Sequence, residues 1–233
     1  MRLRAGALAL VLALGAAGCA SSGDPRDPLE GWNRGVQSFN DTADDYVMTP
    51  VSKAYRAVTP SGLRDMVRNF FNNIDDLLIG ANNLLQGKPA DAMNDWMRLA
   101  VNSTFGLGGL IDWASEMGLE KHDEDFGQTL ARWGVGDGPY FVLPFLGPST
   151  VRDSAALPVD WSYDPVFDAR PIALRNTLVG VRYIQRRTDF LEAGQALQEA
   201  ALDRYVFLRE AYLQHRRSQV YDGHPPRERP PLE

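Results

Sequence analysis

The chain has 233 residues, 44% of them hydrophobic and 23% charged, and a net charge of −6. That composition belongs to a globular chain and excludes a disordered one. The acidic balance argues against nucleic acid, whose binders carry a basic face, and no apolar run reaches the eighteen residues of a membrane-spanning helix.

The N-terminus sets the compartment. Arg2 and Arg4 precede an apolar run over residues 5–17, and the small residues Ala16, Ala17 and Gly18 lead into Cys19. Residues 1–18 therefore read as a secretory signal peptide, outside the fold. Cys19 is the only cysteine and follows the small-residue motif directly, which favours a lipoprotein signal over an ordinary one cleaved near Ala20. A modified Cys19 leaves no disulfide, although the compartment would permit one. Two acyl chains already anchor stably, so a triply acylated Cys19 is a permanent anchor, with residues 19–26 as its tether.

A folded unit over residues 27–221 follows. Asp27 and Pro28 suit a helix start. Leu29, Trp32, Val36, Phe39, Ala43 and Tyr46 form one apolar face. The polar face ends in Asp41, Asp44 and Asp45 instead of the Lys and Arg of a membrane-surface helix, which favours packing of the apolar face into a core. Thr49-Pro50 and Thr59-Pro60 open a short helix over 51–58 and a long one over 63–85, ended by Gly87. The long helix pairs a wide apolar stripe with Asn69, Asn72, Asn73, Asn82 and Asn83. Asparagine is a weak helix former, so these mark a face that hydrogen-bonds without charge. It is either a polar stripe along a lipid path or a set of buried helix-to-helix bonds.

A helix over 88–104 carries Ala92, Met93, Trp96, Leu99 and Ala100 on its apolar side. Gly106, Gly108 and Gly109 then break the chain without forming a phosphate loop, since no strand precedes them and no Gly-Lys-Ser/Thr ending follows. A short helix is predicted over 111–117, and another over 126–133 capped by Asp123, Glu124 or Asp125. His122 beside these acids imitates a metal site, but consecutive acids point apart and no second histidine is near, so no metal is assigned. Residues 126–149 are rich in glycine and proline and also apolar, a combination that suits a cavity lining or a membrane face and not a solvent loop. Residues 140–143 fit a short strand or half a hairpin. Ser149 caps a helix to 157. A loop with Pro158, Trp161, Tyr163, Pro165, Phe167 and Pro171 follows, then helices over 172–187 and 190–213, the last a solvated charged face. The proline-rich tail, 222–233, reads as disordered. Strand signals are scarce, so the class is all-α with little or no strand.

No nucleophile elbow, His-Glu-x-x-His or Cys–His pair is present; the chain reads as no enzyme and implies no cofactor. Two alternatives remain: a lipid-anchored envelope hydrolase of the carboxylate-only kind, because acids distant in sequence can meet in a fold, and a passive structural or porin-adaptor lipoprotein with a solid core.

Several motifs carry a resemblance. They are Asp27-Pro28-Leu29-Glu30-Gly31-Trp32-Asn33-Arg34, the run from Asn102 to Asp112, Glu124-Asp125-Phe126-Gly127-Gln128-Thr129-Leu130, the run from Trp133 to Tyr140, Leu143-Pro144-Phe145-Leu146-Gly147-Pro148-Ser149 with Arg152-Asp153, and Arg209-Glu210-Ala211-Tyr212. The sequence resembles the MlaA/VacJ family of outer-membrane phospholipid-transport lipoproteins, from the signal to about Tyr221. The resemblance implies a single ring-like helical domain in the periplasmic leaflet of the Gram-negative outer membrane, held by acylated Cys19. Its amphipathic channel would remove phospholipids mislocalised to the outer leaflet and pass them to a soluble periplasmic carrier, beside a trimeric porin, maintaining lipid asymmetry.

The physical need for such a channel is plain. At about 0.8 kcal/mol per methylene, exposing roughly thirty methylenes costs on the order of 24 kcal/mol. A conduit needs apolar walls for tails and a polar side for the head group. The candidate lining is Asn69, Phe70, Asn73 and Leu77 from the long helix with Tyr140, Phe141, Leu143 and Phe145 from the rigid stretch.

Overall fold

The structure, a computed structural model, describes residues 24–194 and 202–227. Cys19, the signal peptide, most of the tether and residues 228–233 lie outside the described residues. Helix α1 (Glu30–Ala43) runs through a π-helical turn (Asp44–Met48) into α2 (Thr49–Val58). There follow α3 (Ser61–Leu85), α4 (Pro89–Thr104), the single turns of α5 (Trp113–Glu116), and α6 (Phe126–Arg132). Strands β1 (Tyr140–Leu143) and β2 (Gly147–Thr150) form an antiparallel hairpin with Tyr140 opposite Thr150 and Leu143 opposite Gly147. Then come α7 (Val151–Tyr163), α8 (Pro165–Asp168), α9 (Ile172–Asp189) and α10 (Arg204–Val220). The class is all-α with one small hairpin, as the sequence predicts. The α3–α4 hairpin is the frame, α9 packs on α2 and α3, and α7 packs on α6.

The interior is inverted relative to a protein in water. Among the described residues, buried polar side chains outnumber buried hydrophobic ones. Asp27, Asp76, Asp95, Asn33, Asn83 and Arg98 are inside, while Tyr46 is 81% exposed, Phe105 and Leu107 69%, and Met117 66%. The first helix meets the expectation for it only in part, with Val36 packed against the cluster of Tyr140, Val142 and Tyr205. Asn33 and Gln37 are buried and Trp32, Phe39 and Tyr46 face outward, because the polar face is needed inside. No described helix is long and apolar enough to cross a membrane.

The polar interior is bonded, not empty. Asn83 donates to Asp95 (2.8 Å), Asn73 to Ser103 (3.0 Å), Asn69 to the Leu110 carbonyl (3.3 Å), and Thr129 donates to Asn82 (2.8 Å). These asparagines make the bonds between elements that formed one of the two readings of the long helix. Arg98, 2% exposed, donates to both oxygens of Asp112 (3.2 and 3.0 Å) and to the Leu119 carbonyl (2.5 Å). Burial alone would raise the Asp112 carboxyl, but hydrogen bonds from Ser115 and Asn102 and the Arg98 charge hold it at about 2. This knot fixes the exposed apolar loop of Phe105, Leu107 and Ile111.

Side chains of α1 hold the hairpin. Asn33 donates to the Tyr140 carbonyl (3.2 Å) and accepts from the Val142 N–H (2.9 Å). Two turns later Asn40 donates to the Leu143 carbonyl (2.9 Å) and accepts from the Phe145 N–H (2.7 Å). Two helical turns rise about 11 Å and three strand residues about 10 Å, so the two amides match the strand's spacing and act as its missing neighbour. Tyr140 and Val142 pack with Tyr205 in a small apolar cluster.

Other boundaries differ from expectation. Asp27 does not cap α1; it is buried, accepting from Asn33 (2.8 Å), Arg209 (2.9 Å) and the Tyr205 hydroxyl. Thr150, not Ser149, caps α7, which runs past Pro158 to Tyr163 and absorbs the first part of the predicted loop. Asp203, expected inside a helix from Phe190, caps α10. That helix is no solvated face: Arg209 and Arg216 are buried. The tail's first residues stay close, with Asp222 paired to Lys88 and the Pro226 carbonyl accepting from Arg217 (2.6 Å).

Candidate functional site

Helices α3, α7, α9 and α10, the hairpin and the loop before α6 surround a cavity of about 660 Å³. Its lining mixes two chemistries. Leu78, Ile79, Leu143, Leu157, Phe167 and Val179 supply apolar surface, while Asp75, Asp160, Asp164, Arg182, Arg186 and Arg216 supply charge. A second hollow of about 450 Å³ lies between α1 and the start of α10, among Arg34, Gln37, Asp41, Asp45, Asp203 and Arg204. It is mainly polar, with Leu202 and Tyr205 as its apolar contributors.

The charged side of the cavity is braced by Arg216. It grips Asp125 through two 2.6 Å bonds and Asp153 through bonds of 2.9 and 3.0 Å. Tyr212 adds a bond to Asp153 (2.8 Å). Burial would raise Asp153, yet the Arg216 charge and these bonds hold its carboxyl below the usual range. Asp125 also caps α6 by accepting from the Gln128 N–H (2.9 Å). Gly127 lets the cluster close, since a Cβ there would sit 2.5 Å from Arg216 Nη2 and 2.6 Å from Asp153 Oδ1. Across the cavity, Arg182 bonds Asp164 (2.5 Å) and Asp75, and Arg186 reaches Asp75 at 3.3 Å. Tyr183 on α9 donates to the Phe145 carbonyl at the hairpin tip.

Asp160 is the odd member. One oxygen accepts the Phe126 N–H at 3.0 Å, and among the described residues no arginine pairs with it. Burial is the main cause that lifts its carboxyl to about 6, with Asp125 and Asp153 adding repulsion against the opposing Phe126 N–H and Arg216.

Of the eight residues expected to line a channel, Leu143 is on this wall. Asn69 and Asn73 face the α4–α5 side through the bonds described above. Leu77 is exposed, Tyr140 is buried in the apolar cluster, and Phe70 and Phe141 are half-buried. Phe145 is exposed at the hairpin tip, its ring edge-on to Phe39 at 5.1 Å. His122 is not isolated: its Nδ1 lies 2.8 Å from Asp95. The wall residues that sequence reasoning passed over, Asp160, Arg182 and Arg216 among them, lie on helices whose periodicity gives no sign of a cavity. A signal existed in the quoted motifs, since Asp125, Gly127, Asp153 and Tyr212 come from three of them and meet around Arg216.

Comparison with known proteins agrees with this architecture. The model of the MlaA lipoprotein family matches residues 25–219. The intermembrane phospholipid transport system lipoprotein MlaA of Escherichia coli (strain K12) is 38% identical over 92% of this chain and 87% of its own length. The protein of the same name from Haemophilus influenzae is 34% identical over 92% of this chain and 90% of its own. A solved structure that explains the maintenance of bacterial outer membrane lipid asymmetry superposes with a TM-score of 0.73 at 32% identity, covering 85% of this chain and 99% of that one. Matched by that family model over most of its length and by curated members at 34–38% identity, the chain belongs to the MlaA lipoprotein family.

Proposed function

We propose that this protein is the outer-membrane lipoprotein of an intermembrane phospholipid transport system and maintains outer-membrane lipid asymmetry. It sits in the periplasmic leaflet, held by acylated Cys19, and draws mislocalised phospholipid from the outer leaflet through its cavity. It passes that lipid to a soluble periplasmic carrier and works beside a trimeric porin. The observation that carries this reading is the inversion of the fold: apolar side chains outside, polar ones inside, around an amphipathic cavity. In water that arrangement wastes the hydrophobic effect; in a leaflet it puts apolar surface against acyl chains and leaves a polar-lined route through them. Leu78, Leu157 and Val179 shelter tails while the charged residues meet the head group. The chain's own residues provide a path and no covalent step.

A hydrolase reading finds one point of support, the raised Asp160 beside Asp125 and Asp153. Both neighbours are clamped by Arg216, so neither is free to act as base or nucleophile beside it. The test is surface phospholipid in cells lacking the protein, read by an enzyme that acylates lipid A only when phospholipid reaches the outer leaflet. The signal is expected to rise, to be reversed by the wild type and not by Cys19→Ala. An unchanged signal, with wild-type protein correctly localised in the parent, contradicts transport and favours the passive adaptor.

A further inference from the structure

The cavity wall bears on which head groups pass. Phosphate is common to glycerophospholipids; what differs is the group beyond it, an ammonium in one class and an uncharged or anionic group in another. The guanidiniums of this wall are largely committed. Arg216 holds Asp125 and Asp153, and Arg182 holds Asp75 and Asp164. Arg186 is the most open, its side chain 65% exposed, and it can meet the phosphate that every such lipid shares. It does not discriminate.

Asp160 can. It sits on α7 one turn from Leu157, and both line the cavity. Its Oδ1 accepts the neutral Phe126 N–H at 3.0 Å; among the described residues nothing donates to its Oδ2, which is not sealed off. A carboxylate in a partly dry cavity with only one neutral donor is under-compensated. A primary ammonium brings three N–H donors and the opposite charge, whereas a net-anionic head group adds like charge to a wall already rich in carboxylates. We propose that Asp160 is a specificity-determining residue of the passage, receiving the primary ammonium of aminophospholipids and favouring them over net-anionic lipids. This rests on the reading of the cavity as the lipid path.

The test places a photoreactive benzophenone residue at Leu157 in the full-length acylated protein, in native outer membranes, and identifies the cross-linked lipids by mass spectrometry. Adducts are expected to be enriched about three- to fivefold in primary-amine lipids relative to the surrounding membrane, the range of a partly solvated ion pair. In Asp160→Asn, which keeps the acceptor for Phe126, the ratio is expected to fall to that of the membrane. In Asp160→Lys it is expected to invert; if that variant does not accumulate, Asp160→Asn carries the test. Equal enrichment in wild type and Asp160→Asn overturns the role of Asp160 and leaves the passage standing. No lipid adduct in any variant overturns both.

Discussion

Gly127 has no space for a side chain. An alanine there would press its Cβ into Arg216 and Asp153 and spread an ion cluster whose members are mostly buried. Separating a buried pair costs about 3–5 kcal/mol, and partial relaxation lowers that, so Gly127→Ala is expected to lose about 2–4 kcal/mol in denaturant unfolding in detergent. A loss near zero would mean that the cluster is loose. Asp160 gives a pH dependence of definite sign. Its folded carboxyl is raised from 3.8 to about 6 by burial and by Asp125 and Asp153, against Arg216 and the Phe126 N–H. A raised acid stabilises the fold below its unfolded value, and that contribution is lost as pH climbs towards 6. Asp160→Asn is therefore expected to match wild type near pH 3 and exceed it at pH 7, by on the order of 1 kcal/mol after discounting for partial exposure. Unfolding curves at the two pH values check this; no difference at pH 7 contradicts the assignment. Single residues of this kind were hardly legible in the sequence. A carboxylate's neighbours come from other elements, and spacing along one helix does not name them.

At the scale of elements, the hairpin depends on α1 as much as on its own strands. Asn33 satisfies a donor and an acceptor of β1 and also bonds Asp27. Asn33→Ala orphans these buried groups at about 1–3 kcal/mol each, so a total loss of about 3 kcal/mol and faster proteolysis in the hairpin are expected. Wild-type proteolysis would show that the hairpin stands alone. The tip has its own constraint: Phe145 holds φ +64, rare for a bulky residue, and its carbonyl is tied to Tyr183. The sequence predicted the helices well because Thr-Pro and Gly-Lys-Pro punctuation is local chemistry. It put Asp27 at a cap, ended α7 early at Pro158, and ran one helix through Asp203. The first of these failed because a buried arginine and a tyrosine hydroxyl compete for the same carboxylate. At Pro158 the helix continues where local rules expect a break.

On the scale of the whole molecule, the solvent decides which face of each helix is inside. Periodicity identified the apolar face of α1 and could not say whether it met a core or lipid; acidic residues at its end pointed to a core, and the structure splits that face, Val36 packing on the Tyr140 cluster and Trp32, Phe39 and Tyr46 facing outward. Scarce strand signals supplied the all-α class and the resemblance the ring-like arrangement, while the cavity wall emerged only from the packing of α3, α7, α9 and α10. The outward belt has a direct consequence. A chain exported by an ordinary cleavable signal and lacking Cys19 is expected to stay with membranes through a salt wash, whereas adding Phe105→Asp, Leu107→Asp and Met117→Asp releases it to the soluble fraction. Equal release of both would mean that the anchor alone holds the protein.

The most direct test of the central claim fills the cavity without touching its charges. Leu157→Trp with Val179→Trp places two large rings on the wall. At matched protein level and thermal stability, surface phospholipid is expected to rise to that of cells lacking the protein. A wild-type level with the cavity filled would contradict the claim that phospholipid travels through it.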